Sequence, residues 1–442
     1  MTNTLSIAAE ANRDTESIVS YAYSYPHKSS YRKLEPAIAI ADAWASEDQT
    51  NLALYAHIPF CEMRCGFCNL LTQSQPSDDR VRRYLTAIVR QMAVVRAELP
   101  FARFSTFAIG GGTPTYLDSD SLNMLLSSIQ SSLGFDIRNV PTSVETSPAT
   151  ATSERLKVLA SAGVERISLG VQSFLESETQ AFGRPQQMPQ VHAALEVIRS
   201  FEFPVLNIDL IYGSPVQSRQ SWLQSLRTAL QFQPEELYLY PLYVRPQTGL
   251  ARTGHRAADH RLDLYRTGRD LLLSEGYKQL SLRCFRRPGT GADSSYSCER
   301  DGMIGIGCGA RSYTSRLHYA TRFAVTQAGV RAIMDEWMEQ SDEQFTVATH
   351  GIALTDEERR RRRVILSILQ TSGLDQEQYL RDYGAFAVDD VPELKELFRR
   401  DWLTEESGHL FLTEAGLENS DIAGPILYST SVRDRLQEFV RL

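Results

Sequence analysis

Short apolar runs alternate with longer amphipathic stretches between residues 52 and 243 of this 442-residue chain. The short runs are rich in β-branched and aromatic residues, which predicts six strands at 52–58, 104–110, 142–146, 165–171, 204–212 and 236–243. Between them, in VRRYLTAIVRQMAVVRAEL (81–99) and SLNMLLSSIQSSLG (121–134), apolar residues recur every three or four positions, which predicts helices. Six successive βα units predict an α/β fold built on a partial (β/α)6 TIM-like barrel.

The segments outside these units have other patterns. YAYSYPHKSSYR (21–32) is aromatic and basic without helical periodicity, which predicts an N-terminal arm within residues 1–50. The barrel is predicted over 51–245, and the less regular chain over 246–353 is predicted to be an extension that covers the substrate. From residue 354 a helical run starts with Thr355 and Glu358 at capping-box spacing, and a helix and hairpin follow. We therefore expect a C-terminal winged-helix-like α+β domain over 354–442.

The composition of the chain excludes several classes of function. The formal charge of −8 argues against a general nucleic-acid surface. No basic leader with an apolar stretch opens the chain, and no run reaches the roughly 18 apolar residues of a membrane span, so we expect a cytoplasmic protein. Three of the six cysteines lie within eight positions, which indicates metal or redox chemistry rather than a disulfide framework.

Those three cysteines lie in CEMRCGFCN (61–69), directly after the first predicted strand. Three thiolates can ligate three irons of a [4Fe–4S] cluster and leave the fourth iron open to a ligand. One alternative is a Cys3His zinc site completed by His57, since structural zinc takes four ligands. Another is a disulfide with a spare thiol. Phe67, next to the last cysteine, either shields a cluster or anchors the loop.

The C-x3-C-x2-C spacing with an aromatic residue before the last cysteine resembles the radical S-adenosylmethionine (SAM) superfamily. LYAHIPFC, GGGTPTYL, SVETSP, GVQSF, GRPQ and NIDLIYG, in this order, are similar to its oxygen-independent coproporphyrinogen III oxidase-like subfamily. The resemblance implies that Cys61, Cys65 and Cys68 hold a [4Fe–4S] cluster. It implies that the open iron binds SAM and that one electron cleaves SAM to a 5′-deoxyadenosyl radical.

The resemblance also implies which residues bind the cofactors, the cluster and SAM: Tyr55, Phe67, Gly111, Gly112, Thr113, Glu145, Gln172, Arg184 and Asp209. Taken alone, several of these residues have simpler interpretations. The glycine run could be a phosphate cradle or a turn, although Pro114 argues against a nucleotide P-loop. Glu145 could form a buried salt bridge, Arg184 could lie in an exposed turn, and Tyr55 could be core. We further expect a small-molecule substrate, an electron donor such as flavodoxin or ferredoxin, and a monomer.

Other residues leave alternatives open. Arg359 to Arg363 could grip nucleic acid, but acidic residues one turn earlier favour solvated ion pairs. Cys284, Cys298 and Cys308 could bind a second cluster or donate hydrogen, yet their wide spacing favours ordinary buried thiols. We expect the arm and residues 283–319 to contact the substrate. Three arginines there are candidates to bind an acidic group of the substrate: Arg286, Arg287 and Arg311.

The sequence departs from the subfamily at two places. Leu70 stands where the coproporphyrinogen oxidases have a further cysteine, and SYSCERDGMIGIGCGARSY stands where the haem-chaperone branch has an Asn-x-x-Tyr-Trp motif. The substrate is therefore open. We expect an enzyme that oxidises or otherwise modifies a small, tetrapyrrole-like substrate. The alternatives are a methyltransferase that uses two SAM molecules, a haem carrier for which His318 is the residue to test, and a nucleic-acid modifier.

Overall fold

The computed structural model describes residues 22–254, 256–257, 260–291 and 296–441. Tyr21 of the predicted arm, all residues before it, and residues 255, 258, 259 and 292–295 of the predicted extension lie outside the described residues. The chain forms two compact units. The larger contains 32–278 and 283–351, and the smaller contains the described part of 1–31 together with 279–282 and 352–442.

One long sheet dominates the larger unit. Its strands and a short β3–β4 ribbon are β1 (Arg32–Ala39), β2 (Leu52–Ile58), β3 (Phe60–Cys61), β4 (Gln73–Ser74), β5 (Phe104–Gly111), β6 (Thr142–Thr146), β7 (Arg166–Gln172), β8 (Val205–Tyr212), β9 (Glu236–Pro241), β10 (Lys278–Gln279), β11 (Cys284–Arg286), β12 (Met303–Ile306), β13 (Arg311–Tyr313), β14 (Leu317–Ala320) and β15 (Val347–Ala353). The sheet has the order β1-β15-β14-β13-β12-β2-β5-β6-β7-β8-β9-β11-β10.

Helices connect these strands. They are α1 (Ile40–Trp44), α2 (Asp78–Glu98), α3 (Ser119–Leu133), α4 (Ser153–Ala162), α5 (Glu176–Ala181), α6 (Met188–Ser200), α7 (Arg219–Gln231), α8 (Gly249–Arg252), α9 (Arg261–Ser274), α10 (Gln327–Met338) and α11 (Asp342–Phe345). Sequence signals set their ends, since Ser77 accepts from the Arg80 amide at the start of α2 and Gly134 ends α3 in a left-handed conformation.

The six strands β2, β5, β6, β7, β8 and β9 are neighbours and pair in parallel. All six start and end within two residues of the predicted strands, so the predicted partial (β/α)6 barrel is confirmed. The sheet then continues on both sides, because β12 adds to β2 in parallel and β11 adds to β9 antiparallel. The predicted extension over 246–353 therefore supplies strands to the same sheet as the barrel.

Strand alternation divides the residues of the barrel into two faces. In β2, Leu52, Leu54 and Ile58 are fully buried on one face, while Tyr55 on the other face is only partly buried. In β6, Val144 is buried and Glu145 is solvent-accessible. Glu145 therefore lies on the face of the sheet opposite to that of Val144. Polar side chains at such positions can reach a ligand inside the barrel.

The smaller unit is winged-helix-like, as predicted. Its helices are α12 (Asp356–Ile368), α13 (Gln376–Tyr383), α14 (Ala387–Asp390), α15 (Leu394–Arg399), α16 (Glu414–Glu418), α17 (Ser420–Ile426) and α18 (Thr430–Arg441). A sheet of order β16-β18-β17 forms the wing from β16 (Leu374–Asp375), β17 (Leu403–Glu406) and β18 (His409–Leu412).

Two predictions for α12 need correction. The Thr355 hydroxyl caps the helix by accepting from the Glu358 amide, but the Glu358 carboxylate accepts from the hydroxyls of Tyr25 and Ser429 instead of completing a capping box. The arginine run is not simply a solvated face, because Arg361 and Arg363 are buried at 7% and 6% exposure.

Carboxylates of the smaller unit hold several of these arginines. Arg360 donates to Asp390 at 2.6 Å, and Arg361 donates to Glu357 at 2.8 Å and to Glu393 at 3.0 Å. Removing the carboxylate partner of a buried arginine would leave an uncompensated charge and destabilise the unit. This use of their guanidinium groups does not favour the nucleic-acid hypothesis.

The compact units do not follow the four predicted segments. Residues 22–31 belong to the smaller unit, where the Tyr25 ring lies 4.8 Å from that of Tyr428, whereas 32–50 belong to the larger one. The segments 1–50, 51–245, 246–353 and 354–442 therefore remain a proposal about roles along the chain. No helix among the described residues combines the length and apolar character needed to cross a membrane.

Candidate functional site

The three clustered cysteines lie on one closed loop, here called the cysteine loop (61–72). The loop begins at β3 and ends at β4, and the Gln73 amide donates to the Pro59 carbonyl at 2.7 Å to close its base. Within it the Cys68 amide donates to the Cys65 carbonyl at 3.1 Å. The thiols of Cys61, Cys65 and Cys68 are all free and their residues are all partly exposed. The loop thus presents three potential soft ligands from a short, closed segment.

The surroundings of Cys61 and Cys65 favour the protonated thiols in the apoprotein. Burial, followed by the nearby Cys68, raises the pKa of Cys61 to about 12, and burial also raises the pKa of Cys65. A metal centre must displace these protons, so its assembly releases acid. In the described part of the chain no three His, Cys, Asp or Glu side chains converge on one metal ion. A [4Fe–4S] cluster needs no such convergence, since each thiolate binds a different iron.

Both ring nitrogens of His57 contact protein oxygen atoms rather than facing the three thiols as a zinc ligand would. Its Nε2 lies 3.0 Å from the Leu71 carbonyl oxygen and its Nδ1 lies 3.2 Å from the Tyr55 hydroxyl. The ring therefore supports the end of the cysteine loop from β2. The zinc alternative has no support from this position of His57.

A second loop, the glycine loop (110–115), packs directly on the cysteine loop. The Thr113 amide donates to the Phe60 carbonyl at 2.7 Å, and the Thr113 hydroxyl lies 3.8 Å from the Cys61 sulfur. A Cβ atom on Gly112 would lie 2.5 Å from the Phe60 oxygen and 2.9 Å from that sulfur. Gly111 has a φ of +115° and lies against the His57 ring. The close approach of the two loops therefore requires glycine at both positions.

Carboxylates line the concave face next to these loops. The Glu145 carboxylate accepts from the Gly111 amide at 3.0 Å. Desolvation by the surrounding barrel raises the pKa of Glu145 to about 7, although its side chain is accessible to water inside the barrel. Burial also raises the pKa of Asp209 and of Tyr55. Hydroxyl donors from a ligand would favour the ionised form of either carboxylate.

Arg184 links the fourth barrel strand to the cysteine loop. Its guanidinium donates to the Gly170 carbonyl at 2.9 Å and lies 3.4 Å from the Cys65 sulfur. Arg184 is therefore partly buried and contacts the loop, rather than lying in an exposed turn.

Gln172, on the same strand as Gly170, is buried, has a φ of +69°, and lies where the β7–β8 register shifts.

Phe67 anchors the loop. Its ring packs edge-to-face on Phe182 at a centroid distance of 6.4 Å, within a small apolar cluster that includes Ile211 and Leu250. Gly66 adds backbone bonds, donating to the Phe182 carbonyl at 3.1 Å and accepting from the Leu250 amide at 2.8 Å. These contacts favour the anchoring interpretation without opposing a shielding one.

Two polar residues next to Asp209 were missed in the sequence. The Asn207 amide nitrogen donates to Asp209 at 2.8 Å and to the Ser168 hydroxyl at 2.8 Å, and Ser168 donates to Asp209 at 3.3 Å. The two-residue spacing of NID puts both side chains on one face of β8, which could have predicted this pairing. Asn207 and Ser168 hold the Asp209 carboxylate in a fixed orientation.

The predicted substrate residues have different surroundings. Arg286 pairs with Glu236, the first residue of β9, at 2.7 Å, so it lies at the opposite end of the strands from the cysteine loop. Arg287 lies over the ring of Tyr277. Arg311 lies over Tyr313, and its charge lowers the pKa of Tyr55 against the larger effect of burial, which places it near the concave face. A role of these three arginines toward the substrate stays a prediction.

The remaining candidates are mostly buried. His318 is 1% exposed and packs on the Tyr313 ring at 4.5 Å, so haem could reach it only after the strand opens. Cys284 and Cys308 are buried, as ordinary core thiols are, whereas Cys298 is exposed.

A partial barrel with three thiols, a glycine loop and an arginine converging at its carboxyl ends is the arrangement expected of a radical SAM protein. The model of the Radical SAM superfamily matches residues 55–229. The oxygen-independent coproporphyrinogen III oxidase of Cereibacter sphaeroides is 30% identical over 395 residues, which cover 85% of this chain and 84% of that protein. The heme chaperone HemW of Escherichia coli is 32% identical over 266 residues, 59% of this chain and 69% of that protein.

One solved structure has a similar fold over most of the chain. Coproporphyrinogen III oxidase (HemN) from Escherichia coli, described as a radical SAM enzyme, superposes with a TM-score of 0.78 at 23% identity, over 90% of this chain and 96% of that one. The chain is thus a member of the radical SAM superfamily. Within it, the chain belongs to the family of oxygen-independent coproporphyrinogen III oxidases and heme chaperones HemW.

Proposed function

We propose that the protein is a radical SAM oxidoreductase that oxidises or modifies a small organic, tetrapyrrole-like substrate. The observation that supports this best is the contact of Gly112, Thr113 and Arg184 with the cysteine loop, because it brings SAM-binding candidates from separate strands to the proposed cluster ligands. Membership of the family implies a [4Fe–4S] cluster and SAM.

Cys61, Cys65 and Cys68 would hold the cluster, whose open iron and single electron supply the reductive cleavage of SAM. Gly111 and Gly112 let the glycine loop pack closely against His57 and the start of the cysteine loop. Thr113 and Arg184 lie within reach of the sulfurs that would ligate the cluster. The Glu145 carboxylate would accept hydrogen bonds from the ribose diol of SAM. Asp209, held by Asn207, offers a second acceptor, and buried Gln172 lies beside Arg184. Tyr55 and Phe67 bound the site.

A substrate would lie on the concave face and be closed off from water by the barrel, which prevents loss of the radical to solvent. Arg311 is our candidate for an acidic group of the substrate. The name of the oxidase relatives supports a tetrapyrrole-like molecule, whereas Leu70, in place of their further cysteine, leaves the particular substrate open. An electron donor such as flavodoxin or ferredoxin, and a monomeric state, remain predictions.

Haem transport is the second candidate. It is favoured by the 32% identity to a heme chaperone. The burial of His318 means that stable haem binding would use another ligand or a local opening of β14.

The test is anaerobic reconstitution with iron and sulfide, reduction, addition of SAM, and chromatography of the products. Deoxyadenosine release by the wild type and by Cys298→Ala, and its loss in Cys65→Ala, would support the proposal; Cys298 is a matched control because it is exposed and outside the loop. S-adenosylhomocysteine as a second product would indicate methyl transfer. An intact cluster without SAM cleavage would refute turnover, and haem titration would then test the carrier function.

A further inference from the structure

A chain of buried hydroxyl groups joins the cysteine loop to two other loops of the barrel. The Ser147 hydroxyl donates to the two carboxylate oxygens of Glu62 at 3.0 and 3.3 Å. Glu62 follows Cys61 directly, and Ser147 lies in the segment after β6, here called the β6 loop (146–150). The contact therefore ties the first proposed cluster ligand to a loop 85 residues away in sequence.

The chain continues from Ser147 into the glycine loop. Ser147 Oγ lies 2.9 Å from the Thr150 hydroxyl, which lies 2.7 Å from the Thr115 hydroxyl, which in turn lies 2.6 Å from that of Thr146. All four hydroxyl residues are at most 5% exposed. Four consecutive short contacts thus connect the loops that follow β2, β5 and β6.

The Glu62 carboxylate fixes the direction of the first bond in this chain. An ionised carboxylate only accepts, so the single hydroxyl proton of Ser147 points to Glu62. Ser147 Oγ then acts as an acceptor toward Thr150, whose hydroxyl has both Ser147 Oγ at 2.9 Å and the Ser147 carbonyl oxygen at 3.4 Å as acceptors. Aligned hydrogen bonds polarise one another, and each strengthens the next in a low-dielectric interior.

We propose that Glu62 is a positioning residue: through Ser147 and the hydroxyl chain it holds the cysteine loop in its ligating form, and its charge lowers the reduction potential of the bound cluster. The second part rests on the proposed function. The first part concerns the apoprotein alone. Glu62 is not a cluster ligand in this proposal, since it acts through the loop and through its field.

The positioning role predicts a change in thiol accessibility without any cofactor. Cys61 is only partly exposed, so faster alkylation requires the cysteine loop to open further. A hydrogen bond to a charged group is worth enough to change an opening equilibrium about tenfold. Ser147→Ala should therefore raise the alkylation rate of Cys61 in the apoprotein about tenfold, measured by mass spectrometry of the modified peptides.

Two other cysteines of the chain serve as internal references for the alkylation experiment. Exposed Cys298 reports reagent reactivity, and buried Cys308 reports global unfolding. Thr86→Ala is a matched control, because Thr86 is an exposed helix residue whose hydroxyl bonds only to the Arg82 carbonyl. A Cys61 rate in Ser147→Ala equal to that in Thr86→Ala, with Cys308 still protected, would overturn the positioning role.

The electrostatic role is tested separately. Glu62→Gln keeps an acceptor for Ser147 but removes the charge, which makes reduction of the cluster easier. A unit charge near the loop is expected to change the one-electron equilibrium about tenfold, and a tenfold change is about 59 mV upward. Glu196→Gln, an exposed carboxylate on α6, removes the same charge elsewhere.

A shift of the midpoint potential in Glu62→Gln no larger than in Glu196→Gln would refute the electrostatic role. If the wild type fails to cleave SAM, the proposed function fails, but the alkylation result still stands or falls by itself. The two failures are therefore distinguishable.

Discussion

Gly112→Ala tests how tightly the glycine loop and the cysteine loop must pack. The added Cβ would lie 2.5 Å from the Phe60 carbonyl oxygen, 2.9 Å from the Pro59 carbonyl carbon and 2.9 Å from the Cys61 sulfur. Two of these three atoms belong to the backbone, so no side-chain rotation relieves the contact. Reaching the shortest ordinary van der Waals separation of 3.4 Å from the Phe60 oxygen requires the loops to move apart by about 0.9 Å.

The cost follows from what that movement breaks. The Thr113 amide donates to the same Phe60 oxygen at 2.7 Å, and the Gly112 amide donates to the Ile58 carbonyl at 2.8 Å. Overpacking typically costs about 1–3 kcal/mol and a lost hydrogen bond about 1 kcal/mol. We expect Gly112→Ala to lower the free energy of unfolding by about 2–4 kcal/mol. Because Cys61 moves with Phe60, cluster loading should fall as well.

The assay measures iron and sulfide per protein after reconstitution, together with thermal unfolding of the apoprotein. Gly276→Ala is the control: Gly276 has a φ of +83° with nothing within 4 Å of its Cβ position, so the variant is strained but far from any contact. It should lose stability and keep its iron. Full cluster loading in Gly112→Ala would refute the reasoning, since the close approach would then not matter for the ligands.

Three further outcomes are expected. Because the pKa of Glu145 is raised to about 7, the folded chain retains a proton that the unfolded chain loses from about pH 4.5, so the contribution of Glu145 to stability falls as pH rises from about 4.5 to 7. Urea unfolding of the apoprotein at pH 5 and pH 8 should therefore give a change in stability that is more positive in Glu145→Gln than in the wild type, and an equal change would contradict the assignment. Arg184→Met removes a donor 3.4 Å from the Cys65 sulfur and should lower the cluster's midpoint potential, with Arg184→Lys retaining the charge; an unchanged potential in a redox titration of Arg184→Met would show that the contact does not reach the cluster. Glu358→Gln should destabilise the smaller unit by about 1–3 kcal/mol because two buried hydroxyls donate to that carboxylate, and thermal unfolding equal to that of the exposed control Glu406→Gln would count against it.

The barrel was predictable because its signal is local. In β2 the apolar residues alternate with Tyr55 and His57, and in β8 they alternate with Asn207 and Asp209. The pattern of each strand therefore predicts both its length and its two faces. The cysteine loop was equally visible, since its three thiols lie within one short segment after a strand. Both features need only residues that are close in sequence.

Contacts between distant residues could not be predicted in the same way. Glu358 has the spacing of a capping box, yet its carboxylate accepts from Tyr25, 333 residues earlier in the chain. Arg286 is an arginine in a loop-rich stretch, yet Glu236, 50 residues before it, holds it at the start of β9. A charged side chain goes where a partner offsets its desolvation, and that partner is set by the fold rather than by neighbours in sequence. The same reasoning explains Glu62: in CEMRC it is one acidic residue of an exposed-looking loop, and only the approach of the β6 loop gives its charge a buried hydroxyl chain to orient.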